Sequence, residues 1–391
     1  MLQPKTHGPL AGLVVVDLTR VLAGPYCTMT LADLGARIVK VEMPGPGDDA
    51  RNIGPFLPGE DGEQVSGYFF SVNRNKESIA LDLKLAADKA VFEKLLDGAD
   101  VLVENFTPGT MDRLGYGWES LHARWPRLIM ASISGFGQTG PYRTLPAYDM
   151  VVQAMGGVLS LTGDAPGRPT RVGVSIGDIA AGMFGVIGIQ AALLERARTH
   201  EGKHVDVAML DSQVALLENA LVRYQVDGVV PGPIGSRHPS ITPFGVFRAG
   251  EGHIVLAAGN ERLFARLLEI LGLEHLRADG RFTDNAARCR HADDLRVEIE
   301  LALTAKPAAE WLKTFTAAGV PCGPMNDVAA VMKDPQVRAR DMLMELPVSN
   351  DRSLTIAGSP IKFQGEAAPK ADPAPRLDQH RDLLLAELGL R

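Results

Sequence analysis

The chain has 391 residues, 46% hydrophobic and 22% charged, an ordinary folded-protein composition at a length where a single core stops growing. Its 40 Lys and Arg against 47 Asp and Glu leave a formal charge of −7, so no basic field draws it to nucleic acid or anionic lipid. Apolar runs are interrupted well short of the ~20 residues of a membrane span, residues 1–12 do not read as a signal peptide, and Cys27, Cys289 and Cys322 form no CxxC, against a disulfide framework or zinc ribbon. The expectation is a cytoplasmic α/β enzyme that holds no metal.

Residues 13–18 (Leu-Val-Val-Val-Asp-Leu) form a β-branched run that reads as a strand buried on both faces. A loop over 22–25, a helical pattern over 26–34 stopped by Gly35, and a second strand over 37–41 complete a βαβ unit, which predicts a parallel sheet. The Pro/Gly/Asp-rich stretch 44–67 reads as a long loop. Strand 78–83, helix 87–96 and strands 100–106 and 127–134 continue a doubly wound plan. After a glycine-rich loop, 135–140, helical patterns run over 149–155 and from Asp178 to about 198, followed by strand 204–209 and one long helix over 211–224. The Pro/Gly stretch 231–243 marks a boundary. Beyond it come a hairpin over 244–248 and 253–258 and helices over 261–271, 295–303 and 307–318. The division is a large α/β domain, 1–225 with 330–391, and a smaller α+β domain, 226–329.

Three motifs compete for the chemistry. Gly135-Phe-Gly-Gln-Thr-Gly140 fits GxGxxG after a strand, but Pro141 and Pro146 follow and no helix signal appears before Asp149, so the dinucleotide context fails. Gly173-Val-Ser-Ile-Gly177 fits GxSxG, with 171–174 a candidate preceding strand, which makes Ser175 a candidate hydrolase nucleophile. The third is Asp178, a helix N-cap by residue type. Gly182, Gly185 and Gly188 behind it each cost roughly 1 kcal/mol of helix propensity, which implies close approach of another backbone. A carboxylate at a helix N-terminus is expected to stay ionised at neutral pH, as a carboxylate nucleophile must.

The sequence resembles the class III coenzyme A transferase (CaiB/BaiF) family, which also holds formyl-CoA transferases and α-methylacyl-CoA racemases. The resemblance is carried by Val16-Asp-Leu-Thr-Arg-Val-Leu-Ala-Gly-Pro25, Gly35-Ala-Arg-Ile-Val-Lys-Val-Glu42, Asn73-Arg-Asn-Lys-Glu-Ser-Ile-Ala-Leu-Asp-Leu-Lys84, Val103-Glu-Asn-Phe-Thr-Pro-Gly109, Gly177-Asp178 and Gly319-Val-Pro-Cys-Gly-Pro324. It implies an interlocked homodimer with a Rossmann-like large domain, no tightly bound cofactor, and an acyl-CoA and a small carboxylic acid as substrates.

By the same resemblance, Asp178 is the catalytic carboxylate, forming an aspartyl anhydride and then an aspartyl-CoA thioester. Arg20, Leu22, Ala23, Met43, Leu81, Lys84, Asn105, Phe106, Thr107 and Arg113 line the CoA site, with Tyr148 near the thioester. Amides around Gly135 and Gly137 are candidate oxyanion donors. Arg237 and His238 are candidates for an acceptor's second carboxylate, which points to a dicarboxylate such as succinate. Leu22 and Met43 stand where formyl-CoA transferases often carry Gln and Arg, which argues against a formyl or oxalyl substrate. Racemases place His where this chain has Tyr148, a poor base near pH 7, so transfer is favoured over racemisation.

Overall fold

In the computed structural model, residues 2–3, 5, 7–164, 167–365 and 371–390 are described. The chain begins with strand β1 (Val14–Asp17), helix α1 (Ala23–Asp33) and strand β2 (Arg37–Glu42), the two strands paired in parallel. Both strands are buried along their whole length, as their β-branched runs require. The expected loop 44–67 contains a small antiparallel hairpin, β3 (Phe56–Pro58) with β4 (Gln64–Ser66), and leads into α2 (Gly67–Val72). Strands of three residues are too short to show an alternation pattern.

Next come β5 (Lys76–Ala80), α3 (Ala86–Asp97), β6 (Val101–Glu104), α4 (Thr110–Leu114), α5 (Trp118–Arg124) and β7 (Ile129–Ser134). Strand β5 starts two residues before the expected 78, because its register on β2 pairs Ile38 with Lys76. The chain continues through α6 (Asp149–Met155), α7 (Val158–Leu161), α8 (Ile176–Thr199), β8 (His204–Ala208), α9 (Met209–Ala215) and α10 (Ala220–Asp227). The single helix expected over 211–224 is therefore two. Between them Glu218 adopts φ +53°, a left-handed conformation that no right-handed helix interior accommodates.

The main sheet has the order β5-β2-β1-β6-β7-β8, parallel throughout. Alternate residues of β1 enter opposite cores. Val14 and Val16 join a cluster with Phe92, Leu95 and Leu96 from α3, while Val15 joins one with Cys27 and Leu31 from α1 and Ile189 from α8. The three glycines of α8 explain its seat. A Cβ on Gly182 would stand 2.7 Å from the Ala23 carbonyl oxygen of α1, so backbone does approach backbone there. At Gly185 and Gly188 the close neighbours are side chains, Ile133 and Cys27 for the first and Val205 for the second. Helix α8 spans 24 residues and is apolar enough by length and composition to cross a membrane, yet in the structure it packs on α1, α6, α9, β7 and β8.

Two compact units are present. The larger comprises the chain up to Leu159, Arg171–Val229 and everything from Gln336 onward; the smaller comprises Ser160–Thr170 and Val230–Pro335. The smaller unit is a three-stranded antiparallel sheet, β9 (Phe244–Ala249), β10 (Gly252–Ala257) and β11 (Cys322–Pro324), with helices α11 (Glu261–Leu271), α12 (Asn285–Arg290), α13 (Ala292–Leu303) and α14 (Ala308–Ala317) around its own core. In the larger unit the tail forms the hairpin β12 (Leu343–Ser349) and β13 (Arg352–Ala357) and a terminal helix, Arg381–Leu388, whose Leu384 is buried in the sheet's core.

Candidate active site

Helix α8 starts at Ile176, two residues earlier than the sequence pattern suggests. Ser175 occupies the cap position without a side-chain cap bond, and Asp178 is the third helical residue. Asp178 is thus not an N-cap. The segment before it, 171–175, is irregular and not a strand, so the strand–turn–helix context of a nucleophile elbow is missing. Among the described residues, Ser175 has no hydrogen bond to a histidine or carboxylate.

What anchors the first turn of α8 is Asp149, the first residue of α6. Its Oδ1 accepts from the Gly177 amide at 2.8 Å, and its Oδ2 accepts from Gln153 Nε2 at 2.7 Å. Gln153 Oε1 in turn accepts from the Val172 amide at 3.0 Å, and an Arg171 guanidinium nitrogen lies 3.6 Å from Asp149 Oδ2. A Cβ on Gly177 would lie 2.8 Å from Val152 Cγ2 and 3.0 Å from Asp149 Oδ1, so only glycine lets α8 begin this close to α6.

Asp178 has no such partners. Among the described residues no hydrogen bond or ion pair reaches its carboxylate. Burial, with the like charge of Asp149 second, pushes it up to about 7. The expectation of a fully ionised carboxylate at neutral pH is therefore corrected: desolvation and a neighbouring acid outweigh the helix end. Tyr68 of α2 is pushed up to about 12 by its burial first, then by the charges of Asp178, Asp149 and Asp48. Asp178 keeps part of its surface open. Tyr68 lines a cleft of about 680 Å³ together with Tyr26, Met29, Met183 and the segment Leu354–Ile361. Sequence reading missed Tyr68, which follows an irregular stretch with no periodic pattern.

A second cleft, of about 250 Å³, opens where β1, β2, β5 and β6 end at their carboxyl edges, beside the point where strand order reverses. Open parallel sheets bind ligands at such points. Arg20, Met43, Leu81, Lys84 and Phe106 line it. The loop after β1 is held from several sides. Asn105 accepts from the Arg20 amide at 2.8 Å and donates to the Arg20 carbonyl at 2.7 Å, while Asp48 accepts from the Val21 amide at 2.9 Å. Val21 sits at φ +67°, in the left-handed region that a β-branched residue occupies only under strain. Beneath the loop two fully buried ion pairs, Lys76–Asp17 at 3.1 Å and Lys40–Asp48 at 2.9 Å, are completed by Thr28, Asn73 and the Thr19 carbonyl. Burial raises Asp17, but Lys76, Lys40 and the hydroxyls of Thr19 and Thr28 hold it down to about 2.

Of the remaining sequence candidates, Arg113 reaches the rim of this second cleft through Thr110, and the others have different surroundings. Leu22 packs with Met29 and Val72, and Ala23 with Cys27, both buried. Thr107 lines a small recess of about 130 Å³ with Glu104, Gln138 and His204. Arg113 donates to Thr110 Oγ1 at 2.7 Å, and Tyr148 is 75% exposed just before α6. The amides near Gly135 are partly committed, since Gly137 donates to Ser134 Oγ at 3.0 Å and Gln138 donates to the Asp206 carboxylate. In the smaller unit, Arg237 pairs with Asp293 at 3.1 Å and His238 stacks on Phe244 at 5.3 Å.

The larger unit thus combines a cleft at the strand ends of a parallel sheet with an unpartnered carboxylate at a helix start. The chain belongs to CoA-transferase family III, whose description matches residues 10–381. It is 46% identical over 387 residues to acetyl-CoA:oxalate CoA-transferase of Acetobacter aceti, covering 98% of this chain and 97% of that one. It is 42% identical to a succinyl-CoA:mesaconate CoA-transferase of Haloarcula hispanica, with 98% and 97% covered. A crystal structure of a CAIB/BAIF family protein from Brucella suis superposes with a TM-score of 0.86 at 38% identity, covering 98% of this chain and 100% of that one.

Proposed function

We propose that Asp178 carries the acyl group and then CoA during transfer from an acyl-CoA donor to a carboxylic acid. The observation that carries this reading is an unpartnered, part-buried carboxylate at the start of α8 in a chain of this family. An Asp178 oxygen attacks the thioester carbonyl; the C–S bond breaks and CoA leaves as thiolate. The thiolate then attacks the aspartyl carbonyl of the anhydride, releasing the donor acid and leaving an aspartyl-CoA thioester. The acceptor carboxylate attacks that thioester, freeing thiolate again and forming the acceptor's anhydride with Asp178. Attack of the thiolate on the acceptor's acyl carbon yields the new acyl-CoA and restores Asp178. Each step exchanges one activated acyl bond for another.

The cleft lined by Arg20, Lys84 and Phe106 is proposed to take CoA, with Arg20, Lys84 and nearby Arg113 as phosphate partners. The acceptor is proposed to be a short dicarboxylic acid, because relatives named for oxalate, mesaconate and glutarate all use one. Oxalate thus stays among the candidates although Leu22 and Met43 argue against it. The reading extends to a cytoplasmic location and to a homodimer, the latter supported by the exposed Met183, Phe184 and Ile187 on α8 and Leu221 and Val222 on α10; multi-angle light scattering at the mass of one chain would remove the dimer.

The test is a matrix of acyl-CoA donors against mono- and dicarboxylic acids, read by mass spectrometry for new CoA thioesters, with hydroxylamine trapping during turnover. Label on Asp178 and new dicarboxyl-CoA products are expected; label on Ser175 would sink the reading. Racemisation is disfavoured by Tyr148. A chiral 2-methylacyl-CoA in deuterated water is expected to keep its α-proton, and rapid exchange would reverse that choice.

A further inference from the structure

We propose that Asp149 is a positioning residue that fixes the first turn of α8 and, through its charge, holds Asp178 in a high-energy ionised form that acylation relieves. The proposal rests on the reading of Asp178 as acyl carrier and deepens it. Two acids meet here with unequal support. Asp149 is held by the Gly177 amide, the Gln153 side chain and the Arg171 guanidinium. Asp178, one residue beyond Gly177, has none of these. The repulsion between them therefore falls on Asp178.

The other charged or titratable groups on elements packed against α8 are Tyr26, Cys27 and Asp33 on α1, Asp211 on α9, and His204 and Asp206 on β8; β7 carries none. Tyr68 on α2 feels Asp178. Besides burial, Asp149 is the charge that acts on Asp178.

The consequence concerns the covalent step. When an Asp178 oxygen bonds to the acyl carbon and the C–S bond breaks, the electron pair and the negative charge leave on the CoA sulfur. Asp178 is then neutral, both in the anhydride and in the later aspartyl thioester, and Asp149 faces no like charge. Asp149 thus destabilises the free enzyme relative to its acylated forms, and it raises the basicity, hence the nucleophilicity, of the attacking carboxylate. The single hydrogen bond to Gly177 couples this charge to the backbone that aims Asp178.

The test compares kcat/KM for acyl-CoA from pH 5 to 9, and the fraction of enzyme trapped as the Asp178 covalent adduct, in the wild-type protein and in Asp149→Asn, Asp149→Glu and Arg171→Met. Asp149→Asn keeps an oxygen for Gly177 and removes the charge; its acid limb is expected to fall by about one pH unit, with a smaller trapped fraction. Asp149→Glu is expected to restore both. Arg171→Met unmasks Asp149 and is expected to move the limb the other way. An acid limb unmoved in Asp149→Asn, or unmoved in Arg171→Met should Asp149→Asn fail to fold, overturns the proposal. Wild-type turnover by Asp178→Asn would instead overturn the acyl-carrier reading itself.

Discussion

At the loop after β1, polar groups are matched. Asn105 binds both the amide and the carbonyl of Arg20, Asp48 takes the Val21 amide, and Lys76 and Lys40 neutralise the acids beneath. At the start of α8, Asp178 is left with burial and a neighbouring acid. The first region resists rearrangement, even holding Val21 in a left-handed conformation that costs about 1–3 kcal/mol. The second stores free energy in one carboxylate. On the reading proposed above, the binding surface gains from satisfied partners, whereas the reacting group gains from lacking them.

The most severe way to break the contrast is to remove the reactive side. Asp178→Asn is expected to lower kcat by a factor of about 10³ or more, measured as steady-state transfer, and to raise Tm at pH 8 by about 2–4 °C in a calorimetric scan. Next, Lys76→Met leaves Asp17 charged and unpaired in a dry site. A loss of about 3–5 kcal/mol is expected, read from urea unfolding; a loss below 1 kcal/mol would show that the pair contributes little. Asn105→Ala frees the Arg20 loop and is expected to raise KM for acyl-CoA about tenfold, the equivalent of one or two hydrogen bonds, with kcat little changed.

The mildest probe is pH, and the two regions respond with opposite sign. Asp17 lies below its usual 3.8, at about 2, so its stabilisation is present above that usual value and is lost as pH falls toward 2. Asp178 lies above its usual 3.8, at about 7, so the folded chain holds a proton that the unfolded chain has released. Stability is therefore expected to decline as pH rises from about 4 to 7. The decline should become shallower in Asp178→Asn, the remainder coming from Glu104, which burial also pushes up to about 7; urea titrations at pH 5 and 8 would measure it.

Much of the frame was legible because its signals are dense. The β-branched runs at Val14–Val16 and Ile38–Val41 have no other use than a sheet buried on both faces, and the glycine spacing in α8 pointed to close packing on a neighbour. Elements of few residues, such as β3, β4 and α4, carry too few positions for any period to emerge. The break between α9 and α10 turns on the backbone of Glu218, which composition does not foretell. Asp178 was visible through its family motif. Its raised proton affinity was not, because it depends on Asp149, 29 positions earlier, and on what burial removes. Tyr68 needed the folded chain to bring α2 toward α8.

Cys27 lies sealed between α1 and α8, its sulfur against Gly185, and burial followed by the charge of Asp17 pushes its thiol well above its ordinary value. Only thiolates capture acyl groups efficiently. Under the proposed acyl transfer, the sulfur of α1 is thereby kept from competing for the acyl group. The same shielding should leave α1 untouched by alkylating reagents and mild peroxide.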